Sequence, residues 1–418
     1  MKLEYIFRSV ATFASMPVWP LFKKKDGPIV VYVPHKESNV DIKYLLAYKC
    51  SIDKKHVNVV IDCEGFSSLK NILTRKGFRV ICLDTWEELN VVKNASVIIS
   101  SVNTLGAQGL YWLALGAKYI QVWHGITIKN IGFHFEKYYS PYNQLIRWGH
   151  SFITHSHRFG YLLVPDSFYS KLFDKYFWTH RKVYGWPVRN DYWFFKDSFD
   201  RELMELGANW HLLNWIKRLK KEQKTKVILY IPTWRKSFSW AKFFSEIDMV
   251  NKLERLAVDK NAVVIMKFHP MEELGTRLTS HNLEYLEGIE RLSEHIYIYR
   301  DIPGTFSDPM PLLDIGDVLI TDYSSVYFDY LLGKPKNPIV FWWFDKDQYH
   351  LEERILPYVT PGYKVKMFDE LLSALNSILD GNDPLYNERK KVRKLVYGSG
   401  QKQPSSSIIW SLACQKTV

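Results

Sequence analysis

Two of the thirteen histidines in this chain stand beside residues that govern the backbone, His124-Gly125 and His269-Pro270. An imidazole titrates near neutrality, so it can take a proton from an attacking hydroxyl or give one to a leaving group. Glycine lets a substrate approach the main chain closely, and proline ends a strand and fixes the turn after it. Taken alone, each histidine reads as a structural one. Facing each other across a cleft that also holds a phosphate, they read as an acid–base pair.

A phosphate site is present in the pattern Ile320-Thr321-Asp322-Tyr323-Ser324-Ser325, where an apolar strand runs into paired hydroxyls and the helix-like stretch from Val326 to Leu332. The first N–H groups of a helix lack partners and lie at its positive end, so Thr321, Asp322, Ser324 and Ser325 surround a place where an anion is stabilised. The same residue types also cap helices that bind nothing. What favours a ligand is the company: Trp123-His124-Gly125, Pro232-Thr233-Trp234-Arg235 and Lys267-Phe268-His269-Pro270 all close apolar runs. The guanidinium of Arg235 offers a fixed fork for phosphate oxygens, and Thr233 precedes it in the same turn. Lys129, close behind His124, can bring its ammonium to the same anion, with Lys267 in support.

These residues need elements to hold them. Apolar, β-branched runs recur at 29–33, 57–61, 78–81, 96–99 and 119–122, and again at 227–231, 263–266, 296–298, 318–320 and 339–341. Near-continuous runs of this kind belong to parallel sheets covered on both faces. With 418 residues, the chain exceeds one ordinary core and suits two domains of roughly 200 residues each. Two doubly wound α/β domains follow, 1–195 and 196–418, the boundary falling where the chain turns helical and charged. In such sheets ligands bind at the carboxyl ends of the strands, where His124, Thr233, His269 and Ser324 all lie.

Apolar residues make up 47% and charged residues 24% of the chain, which excludes a disordered protein. The net charge of +12 calls for an anionic partner: nucleic acid, an anionic lipid surface or a phosphorylated substrate. No helix-turn-helix, RNP-like or zinc-finger pattern supports nucleic acid, and neither a Walker loop nor GxGxxG supports a nucleotide cofactor of those classes. The apolar run 5–22, interrupted by Arg8, Pro17 and Pro20 and followed by Lys23-Lys24-Lys25, is a poor membrane span. It reads either as a segment lying on an anionic bilayer or as a first helix packed on its domain. Cys50, Cys63, Cys82 and Cys414 lack metal or CxxC spacing and are expected to be reduced, in a cytoplasmic protein. Asp345-Lys346-Asp347 has the spacing of a metal–nucleotide motif but equally suits a polar turn. His150, His155 and His157 crowd one segment without an acidic partner at regular spacing, so no metal is assigned to either group.

In several ordered blocks the chain resembles the CDP-glycerol glycerophosphotransferase family, the teichoic-acid primases and polymerases. The blocks are Gln121-Val122-Trp123-His124-Gly125-Ile126-Thr127-Ile128-Lys129, Gly185-Trp186-Pro187-Val188-Arg189-Asn190-Asp191, Tyr230-Ile231-Pro232-Thr233-Trp234-Arg235, Lys267-Phe268-His269-Pro270 and Asp317 through Tyr330. The resemblance implies a GT-B arrangement of two Rossmann-like domains facing across a cleft. The first would be acceptor-side and membrane-associating, and the second would bind a CDP-linked donor. It further implies that His124 is the base for an acceptor hydroxyl, that His269 is the phosphate stabiliser or acid toward departing CMP, and that Ser324 and Ser325 bind phosphate. Gly125, Lys129, Thr233, Arg235, Thr321 and Asp322 complete the expected donor site, with no cofactor and no metal. The implied reaction moves glycerol phosphate or ribitol phosphate from its CDP ester to a lipid-linked saccharide or a growing polyol-phosphate chain. It takes place in the cytoplasm, at the inner face of the membrane. Two other readings of the same residues are a glycosyltransferase using a CMP- or UDP-sugar and a non-catalytic membrane-bound nucleotide-binding scaffold. The chain departs from the family where Ile126-Thr127-Ile128 replaces Thr-Pro-Leu, where Val188 is inserted before Arg189, and where Lys236 replaces an aspartate.

Overall fold

The computed structural model describes residues 26–33, 40–52, 57–61, 66–101, 115–130, 160–165, 167–177, 181–235, 238, 240–269, 285–286, 289–302, 305–346 and 351–415, with 14, 18 and 21. The bulk of the N-terminal run, the segment holding His150, His155 and His157, and Lys236, Pro270 and Asp347 lie outside them.

The described chain forms two compact units. The first is built on a seven-stranded sheet in the order β3-β2-β1-β4-β5-β6-β7. Its strands are β1 (Ile29–Tyr32), β2 (Val57–Val60), β3 (Arg79–Ile81), β4 (Val97–Ser100), β5 (Lys118–Gln121), β6 (Tyr161–Val164) and β7 (Arg181–Tyr184). All of its pairings are parallel. β2, β4 and β5 are buried at every position, as expected where helices cover both faces. Helix α1 (Val40–Ile52) packs Ile42, Leu45 and Leu46 into this unit and carries Asp41, fully buried, in its first turn.

The second unit has an eight-stranded sheet in the order β10-β11-β12-β9-β8-β13-β14-β15. Its strands are β8 (Lys226–Tyr230), β9 (Ala262–Met266), β10 (Tyr285–Leu286), β11 (Ile289–Ser293), β12 (Ile296–Tyr299), β13 (Val318–Thr321), β14 (Ile339–Trp342) and β15 (Tyr363–Val365). Only the hairpin edge, β10-β11-β12, is antiparallel. On one face lie α2 (Met249–Asp259), through Leu253 and Ala257, and α4 (Phe368–Leu379), through Leu371 and Leu375, with Ile228, Val264 and Val340 in the same core. Between them in sequence, α3 (Val326–Gly333) is buried from Val326 to Leu332, so it is a core helix whose start alone reaches the sheet's carboxyl edge.

The division between units differs from the one at 195 in three places. The cut falls between Leu206 and Gly207, residues 127–129 belong to the second unit, and 399–418 return to the first. The return has a physical cause in α5 (Ser405–Cys414). Asp191 accepts from Ser405 N at 2.7 Å, Ser406 N at 2.9 Å and Ser406 Oγ at 2.7 Å, so its carboxylate caps that helix start. Lys118 Nζ then donates to the carbonyls of Leu412 and Gln415 at the other end, and Trp410 Nε1 donates to Leu45 O. Cys82 is disulfide-bonded, which corrects the expectation of four reduced cysteines, while Cys50 and Cys414 are free thiols.

Burial pushes the Asp191 carboxyl up to about 7, against the pull of the three donors from Ser405 and Ser406 and helped by the charge of Asp41. A carboxyl raised above its unfolded value holds a proton in the native state that the unfolded chain has released. Its contribution to stability is therefore present at low pH and is lost as the pH rises from about 4 to about 7. Asp191→Asn should flatten this part of the stability curve, read as urea midpoints across that range. Parallel curves for the two proteins would remove Asp191 from the pH response.

Candidate active site

In the second sheet the strand order reverses between β8 and β13, where two crossovers leave in opposite directions and open a crevice at the carboxyl edge. Tyr230 at the end of β8 is level with Ile320 of β13 on one side and Met266 of β9 on the other. The turns carrying Thr233, Asp322 and His269 consequently leave the same edge. Segment 127–129 joins them from outside the sheet. Lys129 forms a β-bridge with Leu351, and Glu352 N donates to Ile128 O at 2.9 Å.

At the centre is a buried ionic lattice. Arg235 Nε and Nη2 donate to the two oxygens of Asp345 at 2.6 and 2.9 Å, Nη2 also reaches Asp322 Oδ2 at 2.7 Å, and Nη1 donates to Thr233 O at 2.8 Å. Asp322 in turn accepts from Thr233 N at 2.8 Å and Ser324 N at 3.2 Å, and from Tyr323 N. The guanidinium lies 4.7 Å from the Phe344 ring centroid and 5.0 Å from that of Trp240. Burial opposes its charge, but Asp345 and Asp322 hold it above the ordinary arginine range.

This geometry revises several expected roles. Arg235 was the phosphate fork; its donors face carboxylates and a carbonyl instead, so it shapes the turn. Asp322 is 1% exposed and negatively disposed, a scaffold for backbone N–H groups and no phosphate ligand. Thr321 turns its hydroxyl back to Ile231 O at 2.7 Å and is fully buried. Asp345, singled out for metal–nucleotide spacing, is the partner of Arg235. Lys267 is tied to Asp301 at 2.6 and 2.7 Å.

What remains at the crevice is chemically suited to an anion. Lys129 Nζ stands 3.5 Å from Thr233 Oγ1. Burial, opposed by Asp322 and aided by Arg235, lowers the Lys129 ammonium to about 8. His269 is partly exposed, with Trp234 beside it at 6.5 Å between ring centroids. Burial and the charges of Lys267 and Lys129, against Asp301, push it down to about 4, so its imidazole is neutral at physiological pH. Ser324 and Ser325 are partly exposed at the start of α3; Ser324 Oγ accepts from Val326 N at 3.4 Å, and Ser325 makes no side-chain cap.

In the first unit, His124 follows β5 and is partly exposed. Its Nδ1 lies 3.4 Å from Ser101 O, just past the end of β4. Its carbonyl accepts from Arg189 Nη1 at 2.8 Å, and Arg189 N donates to Asp41 Oδ1 at 3.0 Å. Gly125 was expected to give a substrate room; the face where a Cβ would stand is occupied by Arg189 Nη2, 2.3 Å from that point. Asp41 is the residue that motif spacing could not suggest, since it lies far upstream of the matching blocks, in the first turn of α1.

Among the described residues one group has metal-ligand proximity: Glu254, Glu294 and His295. It sits at the amino end of β12, with His295 Nδ1 2.7 Å from Glu254 Oε1 and Ser293 Oγ 2.6 Å from Glu254 Oε2. Glu254, Ser293 and His295 thus satisfy one another at the end of the sheet opposite to His269.

Two doubly wound α/β units, each presenting a histidine past the carboxyl end of a parallel strand, define the class of this protein. The chain belongs to the CDP-Glycerol:Poly(glycerophosphate) glycerophosphotransferase family, whose model matches residues 16–411. It is 28% identical over 267 residues to a teichoic acid poly(glycerol phosphate) polymerase of Bacillus spizizenii, covering 62% of this chain and 60% of that protein. It is 30% identical over 289 residues to a teichoic acid glycerol-phosphate transferase of Staphylococcus aureus, covering 67% of this chain and 66% of the relative. The match thus spans about two thirds or less of each relative's length. The solved wall teichoic acid polymerase TagF shares the fold, with a TM-score of 0.65 at 22% identity over 98% of this chain and 93% of that one.

Two outcomes follow for the second unit. Arg235→Ala strands two buried carboxylates and should destabilise it by about 3–5 kcal/mol in chemical denaturation; a loss under about 1 kcal/mol would mean that water reaches the pair. Lys129, reductively methylated with a carbon-13 label, should titrate near 8 and move upward when inorganic diphosphate is added. A titration near the ordinary lysine value would place it in solvent.

Proposed function

We propose that this protein transfers glycerol phosphate or ribitol phosphate from a CDP-linked donor to a hydroxyl of a lipid-linked saccharide or of a growing polyol-phosphate chain. The acceptor oxygen attacks the phosphorus that bears the polyol. The bond from that phosphorus to the CMP oxygen breaks, and CMP leaves. The proton of the acceptor hydroxyl passes to His124. The observation that carries this reading is the gathering of Lys129, Thr233, His269 and the start of α3 at the point in the second sheet where strand order reverses. Phosphoryl transfer asks a protein for position and charge stabilisation more than for covalent chemistry, and helix-terminal amides, an ammonium and an imidazole supply both.

The neutral state of His269 refines its role. An uncharged imidazole donates one N–H to a phosphate oxygen and holds no spare proton. The arriving diphosphate replaces part of the positive field of Lys267 and Lys129 with negative charge, which raises the imidazole and lets it serve the departing CMP. Family membership supports the CDP-polyol donor, as does a TagF structure soaked with CDPG. The first unit is the acceptor side. The net charge of +12 suits attachment to an anionic membrane face, and among the described residues no helix is long and apolar enough to cross a membrane.

The test incubates the full chain with CDP-glycerol or CDP-ribitol and a lipid-linked disaccharide and follows CMP. CMP release with one of the two donors is expected; no release from either, with CMP freed from a CMP-sugar or UDP freed from a UDP-sugar instead, would reject the proposal. His124→Ala and His269→Ala should each lower turnover about a hundredfold or more, the range for a positioned acid or base. A folded variant with near-normal turnover removes that residue from the mechanism.

A further inference from the structure

We infer that Arg189 is a positioning residue for His124, acting on the main chain of the turn Trp123-His124-Gly125. The inference rests on the reading of His124 as the base and explains how this imidazole is held.

The turn is one the backbone would not choose. Trp123 has φ of +55°, a left-handed conformation that bulky side chains rarely adopt, and Gly125 follows at +122°. Such strain persists only where the surroundings over-determine it. Arg189 supplies that constraint with both arms of its fork. Nη1 donates to His124 O at 2.8 Å, and Nη2 fills the space where any residue other than glycine would carry its Cβ. The fork is itself fixed, because Asp41 binds the Arg189 backbone N at 3.0 Å and lies 3.7 Å from Nη1 through its other oxygen. Two residues on, Asp191 anchors the same short turn to α5.

The consequence reaches the imidazole. On its far side, His124 Nδ1 meets the carbonyl of Ser101 at 3.4 Å. A carbonyl only accepts, so Nδ1 carries the proton and the lone pair lies on Nε2, the tautomer that can receive a proton from an acceptor hydroxyl. Holding the main chain on one side and Nδ1 on the other sets the direction of Nε2. A lysine at 189 would keep the charge but has no second arm for the glycine face.

The test compares wild type with Arg189→Ala, Arg189→Lys and Gly125→Ala in the full chain, using nitrogen-15 histidine signals and CMP release from CDP-glycerol. In Arg189→Ala the His124 imidazole signals should shift, kcat should fall at least about tenfold and the donor KM should change less than about threefold. Added guanidinium should restore signals and kcat in part in Arg189→Ala and leave Arg189→Lys unchanged. Gly125→Ala drives a methyl into the guanidinium's place without removing the charge, so it should shift the same signals even if Arg189→Ala fails to fold. Unchanged His124 signals in folded Arg189→Ala or Gly125→Ala would overturn the inference. If the wild type released no CMP from any CDP-polyol, the base reading would fall, while the imidazole signals would still decide the part played by Arg189.

Discussion

The buried charge of Arg235 is the constraint on which the second unit's site depends. One guanidinium ties the turn after β8, the turn after β13 and the turn after β14, through Thr233 O, Asp322 and Asp345. A charge removed from water is tolerable only when fully paired, so these three turns have one mutual arrangement. The pairing also settles the field nearby. Asp322 is paired with Arg235 and with backbone donors, which offsets part of its charge beside Lys129 and the start of α3. The aromatic floor of Phe344 and Trp240 beneath the guanidinium continues into the unit's core, so the site inherits the rigidity of that packing.

The first unit answers the same problem with the same chemistry. There Arg189 and Asp41 form the buried pair, and the turn they hold is that of His124. In both units a buried arginine organises backbone: Arg235, which the sequence pattern aims at a phosphate, and Arg189, to which it gives no role. That role separates the groups that build the site from those available to a ligand.

Much of the fold was legible, and the reason is local. The ten apolar runs singled out from the sequence all became strands, because parallel strands buried on both faces must be apolar throughout. Two edge strands escaped notice for the converse reason, β7 with Arg181 and Lys182 and β15 with Lys364, which carry no continuous apolar run; the interior strand β6 was also missed, although its four residues are apolar. The positions of His124, His269 and Ser324 could be read because ligand sites in such sheets follow strand ends. The roles of Arg235, Thr321 and Asp322 could not, since a motif gives residue types and leaves open which way each side chain turns. Asp41, Asp301 and Asp345 decide that, and they lie far from their partners in sequence.

The chain passes from one unit to the other after Ile126, back after Lys129, across again after Leu206 and home after Gly398. Neither half is therefore a continuous stretch of polypeptide. Bisecting the gene at any one of these junctions would give a pair of fragments of which at least one lacks a native piece, the short insert at 127–129 or the closing helix. A transplanted lobe would need its own remote piece carried with it, the closing segment 399–418 for the first and the insert 127–129 for the second.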